Sequence, residues 1–374
     1  MKNYLIAAVV IALLANQARH LVELGGIFQT IHPLNTEQCH TIEGKYSPED
    51  FRNCEDIVMS PHEAGIAYTA CDPARDHKNM VMDVHRPVPH PEPGDIWRVD
   101  YVQGTATRFA TLGDDDFHPL GLAIVDASLM MVINLRHHAH AAIELFSLQD
   151  AKHIRTLEHP QIYTPNSIHI LDGRSAADGT PSFFFSNDHY FRTGIMKKIE
   201  NYASLPLANI MFYDAPTHTV YPVAQGLSFA NGLAGDHKSV LFAAETYRMT
   251  VKRFEIVVDE TQVRLQQTDH IKVPSMVVDN THYDEKTGNV LVAGHPVGLD
   301  LLKFARNVDA SKTKRPPSRV VAWHPHTKQV DDVFVDDGTL YPTSSTAFID
   351  HDAQKLVISG LYARGILVCD HQQQ

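Results

Sequence analysis

After residue 30 one pattern recurs six times: a polar start, a short apolar strand, a charged turn, then a second and more apolar strand. The copies begin at Cys54 (CEDIVMSPHEAGIAYTAC), His118 (HPLGLAIVDASLMMVINL), Pro165, Phe229, Val277 and Thr343 (TSSTAFIDHDAQKLVISG). Their starts stand about 45–65 residues apart, which leaves room for two further strands in each unit and matches the size of one propeller blade. Helical periodicity is scarce here. Runs rich in β-branched and aromatic residues, such as IMFYD, VKRFEIVV and DDVFVDDG, alternate with Gly, Pro, Asp and Asn turns. A unit of this size cannot bury its apolar face alone, so neighbouring units must stack. The expected fold is an all-β, six-bladed β-propeller over residues 19–374, the alternative being an irregular β-sandwich.

The repeat also organises the chemistry. Equivalent positions on successive blades lie around one axis, so residues far apart in sequence converge there. Glu55, Leu122, Asn166, Asn231 and Asn280 each sit near the polar start of a unit, with Asp279 beside the last. Glu55, Asn166, Asn231, Asp279 and Asn280 offer two carboxylates and three amide oxygens and no softer donor. That set suits Ca²⁺, which takes six to eight oxygens, better than Zn²⁺ or an octahedral Mg²⁺. Taken singly, each Asn reads as a turn residue; their common phase is what selects them. With 32 basic and 44 acidic side chains and a net charge of −12, the chain is not built for nucleic acid. It has no Gly-x-Ser-x-Gly elbow, no His-Glu-x-x-His zinc motif and no nucleotide-binding glycine loop.

The N-terminus, Lys2 followed by an apolar run from Tyr4 to Ala15, reads as a short hydrophobic segment over residues 1–18, either a signal peptide or an uncleaved anchor. A buried N-terminal helix is the other reading. Four cysteines, Cys39, Cys54, Cys71 and Cys369, behind such a segment suggest two disulfides and a secretory location, secreted or membrane-anchored, facing an oxidising compartment. Three pairings are open. Cys54 and Cys71 flank an expected hairpin and pair easily; Cys39 with Cys369 would then clasp the chain ends.

Several strings resemble the paraoxonase/arylesterase family of calcium-dependent lactonases and esterases on six-bladed propellers. They are NDHYF (Asn187–Phe191), GLSFANG (Gly226–Gly232), VVDN (Val277–Asn280) with TGNVLVAGHPVG after it, AAIELFSL (Ala141–Leu148) and the C-terminal ARGILVCD. The resemblance spans roughly residues 37–370. It implies a clasping disulfide at Cys39 and Cys369, and a catalytic calcium on Glu55, Asn166, Asn231, Asp279 and Asn280. Glu55-Asp56 fits the first blade better than the earlier Glu49-Asp50 pair. It further implies a second, structural calcium on Asp56 and the carbonyl of Leu122, but Ser167 stands where the family has a carboxylate, so this site is expected to be empty, weak or completed otherwise.

The family's histidine dyad is altered. Leu120 occupies one expected position, with His118 two residues earlier, and the other falls near Leu135, beside His137 and His138. His189 and His295 match family pocket histidines, and Asp188 is placed to orient one of them. The expected activity is hydrolysis of lactones and aryl or other carboxylic esters, with Ca²⁺ as Lewis acid and a histidine-assisted water; His118, His189 and His295 are the candidate bases. A phosphotriesterase-like esterase and a non-catalytic, calcium-stabilised binding propeller are the alternatives. The partner is a small-molecule ester or lactone, with membrane anchoring through the N-terminal segment as a further expectation.

Overall fold

In a computed structural model, residues 2–44, 49–87, 92–113, 116–259, 262–308 and 314–371 are described. Strands dominate and helices are few. Four sheets stand as separate four-stranded antiparallel blades, within residues 119–157, 165–227, 230–272 and 277–336. Among the described residues six separate blades do not form. Eight further strands make one sheet, because Arg52–Met59 pairs with Lys355–Arg364 through Arg52↔Arg364 and Cys54↔Gly360, and Lys78–Asn79 pairs with Val84–His85 in a two-stranded ribbon of its own. The eight-stranded sheet joins the two ends of the chain. Cys39–Ile42 lies antiparallel to Ile366–Asp370, and the Cys39–Cys369 disulfide locks that register. The second disulfide, Cys54–Cys71, crosses the hairpin of Arg52–Met59 and Ile66–Cys71.

The sheets are arranged as in a propeller. The first strand of each repeat packs on the next: Arg52–Met59 on Pro119–Ile124, then Pro165–Ser175, Ala230–Gly235, Val277–Asp284 and Ser344–Asp350, which returns to Arg52–Met59. Apolar side chains fill the layers between consecutive sheets. The run Phe183-Phe184-Phe185 shows the device. Period-two alternation sends Phe183 and Phe185 against the preceding blade and Phe184 against the following one. All three are fully buried.

The helices gather near one mouth of the axis. Gly298–Ala305 follows the strand that ends at His295, and Lys2–Gly25 packs on it. The N-terminal helix therefore runs unbroken past position 18 and reaches the body of the fold. Gln17 Nε2 donates to the carbonyl of Tyr202 (3.1 Å), and Lys272 Nζ to Glu23 Oε1 (2.6 Å). Among the described residues no helix is long and apolar enough to cross a membrane.

Candidate functional site

Each innermost strand carries a register irregularity at the same place. The breaks lie between Cys54 and Asp56, Pro119 and Leu122, Pro165 and Ile168, Ala230 and Leu233, Val278 and Thr281, and Ser344 and Thr346. A bulge releases one or two residues from the ladder and re-aims their side chains. The released residues are Glu55, Leu120-Gly121, Asn166-Ser167, Asn231-Gly232, Asp279-Asn280 and Ser345. Asn53, Phe229 and Thr343, each two residues before such a position, take left-handed backbone (φ 56°, 63° and 59°), a conformation that costs free energy and concentrates at functional sites. Glycine is needed at two of the bulges. A Cβ on Gly232 would lie 2.5 Å from Asn280 Cα and 2.7 Å from its Oδ1, and one on Gly121 would lie 2.4 Å from the Asn166 carbonyl. Only glycine lets these strands approach so closely.

The bulges put oxygen atoms on the floor of a cavity of about 630 Å³, walled by Glu55, Leu120, Asn166, Asn231, Asp279 and His295 together with apolar side chains. Asn231 Nδ2 donates to Asp279 Oδ1 (2.8 Å) and to Thr246 Oγ1 (3.1 Å). Asn280 Nδ2 donates to Glu55 Oε1 and to Thr346 Oγ1, both at 2.9 Å. Both amide nitrogens are thereby fully used, which fixes the orientation of each amide and leaves each Oδ1 for another partner. Glu55 Oε2, Asn166 Oδ1 and Asn231 Oδ1 are buried and accept no hydrogen bond from the protein. Buried oxygens are rarely left so.

The electrostatics point the same way. Burial pushes the Glu55 carboxyl well above its ordinary range, and Asp279 and Asp56 push it further; Arg75 and the Asn280 amide oppose them. Asp56 is pushed up to about 6, again chiefly by burial. Clustered buried carboxylates are stable as anions only beside a cation. The donor set, all oxygen, fits a hard ion such as Ca²⁺.

His295 lines the same cavity. Its Nε2 lies 3.0 Å from Asp279 Oδ2, and its Nδ1 is buried without a partner. Asp188 accepts from His189 Nδ1 at 2.7 Å, but that ring packs behind Phe229 and Tyr247, which themselves form the wall. His118 is not in the wall. It lies buried beside Asp72 (3.2 Å) and Asp116 (3.8 Å), while Leu120 faces the cavity.

On the opposite side of the bulges, the Asp56 carboxylate accepts from Ile57 N, Leu122 N and Thr346 Oγ1 at 2.9–3.1 Å. Leu122 thus meets Asp56 through its amide. Ser167 Oγ, where a carboxylate was expected, accepts from Leu233 N at 3.0 Å.

The Arylesterase family profile matches residues 108–371 of the chain. The chain belongs to the arylesterase family. It is an ester hydrolase of that type. Serum paraoxonase/arylesterase 1 of Rattus norvegicus is 24% identical over 383 aligned positions, covering 98% of each chain. Serum paraoxonase/lactonase 3 of Oryctolagus cuniculus is 23% identical, covering 87% of each. Among solved structures, a luciferin-regenerating enzyme superposes with a TM-score of 0.50 at 12% identity, covering 90% of this chain and 95% of that one; this likeness concerns the fold alone.

Within this member of the arylesterase family, several parts of the site carry no sequence signal of their own. Arg75 is a buried cation, held by the carbonyls of Asn53 and Pro119, that faces Glu55. Thr246 and Thr346 orient the amides of Asn231 and Asn280. Leu21 and Leu24 of the N-terminal helix close part of the cavity wall. For Gly232 the adjacency Asn231-Gly232 was the available signal.

Proposed function

We propose that this arylesterase-family protein is a calcium-dependent hydrolase that opens lactones and cleaves aryl and other carboxylic esters. The observation that carries the reading is the set of unpartnered buried oxygens on Glu55, Asn166 and Asn231, beside His295 on one cavity floor. Glu55, Asn166, Asn231, Asp279 and Asn280 would hold one Ca²⁺, which supplies Lewis acidity toward the carbonyl oxygen of the ester.

The protein's own groups do the rest. The Nε2–H of His295 donates to Asp279, so Nδ1 keeps its lone pair and takes the proton of the attacking water. Asp279 then faces the imidazolium and stabilises its charge. Phe229, Tyr247, Leu301 and Leu361 give the cavity an apolar wall that receives the acyl or ring portion of the substrate and thins out bulk water. A lactone suits such a site because its ring opens without releasing a fragment. His189, braced by Asp188, supports the wall from behind. We read the eight-stranded sheet as two fused blades, so that six repeats surround the axis. Asp56 serves as a hydrogen-bonded buttress under the floor, and a second calcium on Asp56 and Leu122 is weak at most because Ser167 brings no charge. Two disulfides support an oxidising, secretory location, with residues 1–18 as signal or anchor.

The test is turnover of a γ- and δ-lactone series and an aryl ester by purified protein, with Ca²⁺, after a calcium chelator, and after Ca²⁺ is restored. Loss and recovery of turnover with calcium support the reading. A folded, calcium-loaded protein inert on the whole panel would replace it with a binding propeller.

A further inference from the structure

Outside this cavity, the loop after the strand Leu129–Asn134 reads LRHHAH and holds three histidines that the proposed activity does not use. One of them, His137, packs its ring on His118 with centroids 3.4 Å apart and planes at 18°. Asp116 completes a trio whose ligand atoms all lie within 4.8 Å of one another. We infer that Asp116, His118 and His137 form a binding site for a first-row transition metal ion, with Zn²⁺ as the fitting case, apart from the oxygen-lined floor.

The first argument is the state of His118. Its Nδ1 faces Asp72 Oδ1 at 3.2 Å, which makes Nδ1 the protonated nitrogen and leaves a lone pair on Nε2. That Nε2 is buried and has no hydrogen-bond partner. It stands 3.8 Å from Asp116 Oδ1, too far for a hydrogen bond and near the roughly 3.3–3.5 Å that separates two ligands of one tetrahedral ion. Carboxylate, histidine and open nitrogen in line are the arrangement in which an outer carboxylate orients a metal-binding imidazole.

The second argument is Asp116. The backbone N–H groups of His137 and His138 hold its carboxylate, His137 N at 2.5 Å from Oδ1, so the oxygen is positioned before any ion arrives. His137 Nδ1 is also buried without a partner. In the stacked arrangement the lone pairs of the two rings lie in nearly parallel planes, so one ring must turn for them to converge. His137, on the loop and less buried than His118, is the ring free to do so.

The donor set names the metal class. Two imidazole nitrogens and one carboxylate are poor ligands for Ca²⁺ and good ones for Zn²⁺. Lys78, whose Nζ donates to the His137 carbonyl at 3.4 Å, and Arg192, whose guanidinium binds the Ala139 carbonyl at 2.7 Å, place positive charge beside the loop. Affinity must therefore come from metal–nitrogen bonding rather than from net negative charge, which again favours a nitrogen-seeking ion.

Calorimetric titration of the calcium-loaded full chain with Zn²⁺ tests the proposal, with Co²⁺ as a spectroscopic stand-in. The expected result is one Zn²⁺ per chain and tetrahedral d–d bands with Co²⁺. His137→Ala and Asp116→Asn should each weaken binding at least tenfold and abolish the bands, with unchanged circular dichroism. His270→Ala, an exposed histidine elsewhere, should change neither. Absence of Zn²⁺ binding, full binding by folded His137→Ala, or equal loss in His270→Ala would overturn it.

Discussion

The Cys39–Cys369 bond spans 330 residues of sequence and Cys54–Cys71 spans 17. If a cross-link stabilises by restricting the unfolded chain, its contribution grows with the logarithm of the loop it closes. That relation gives about 6 kcal/mol for the long loop and about 3 kcal/mol for the short one at 25 °C, a difference of about 2.6 kcal/mol. The perturbation is the paired substitution Cys39→Ala/Cys369→Ala, set against Cys54→Ala/Cys71→Ala. Equilibrium urea unfolding in saturating Ca²⁺ reads both, and the first pair should lose the more stability. Its m-value should rise as the unfolded chain expands. Calcium affinity should follow the opposite order. Cys54 adjoins the proposed ligand Glu55, whereas the clasp lies at the outer strand pair Cys39–Ile42 and Ile366–Asp370. If removing the short bond proves equally or more destabilising, loop closure is not how the clasp acts.

His295→Gln should lower kcat on an aryl ester by about 10²–10⁴-fold with little change in KM, because it removes the proposed base and leaves the wall in place; steady-state kinetics decide. Gly232→Ala should weaken Ca²⁺ at least tenfold, about 1.4 kcal/mol or more, by displacing Asn280, and a calcium titration of the folded variant checks this. In the calcium-free protein the raised Asp56 carboxyl contributes stability that is present below about pH 4 and is lost as pH rises through about 6. Urea midpoints of chelated protein should accordingly fall across that interval, and Asp56→Asn should flatten the slope.

Much of this was legible in the chain. Strand alternation and turn chemistry act over a few residues, so the six repeat starts fall within two residues of the innermost strands. Common phase singled out the candidate oxygen donors, and cysteine positions beside strand pairs were consistent with both disulfides. Tertiary structure decided the rest, because the deciding contacts join residues far apart in sequence. The fused eight-stranded sheet depends on Arg52–Met59 meeting Lys355–Arg364. Whether an amide oxygen faces the axis depends on a bulge and on a threonine or carboxylate from another strand. Histidine roles were the least legible for a geometric reason. A shift of two residues keeps a side chain on the same face of a strand but moves it about 6–7 Å along it. That displacement takes His118 out of the cavity wall and sets it against His137, while Leu120 faces the site.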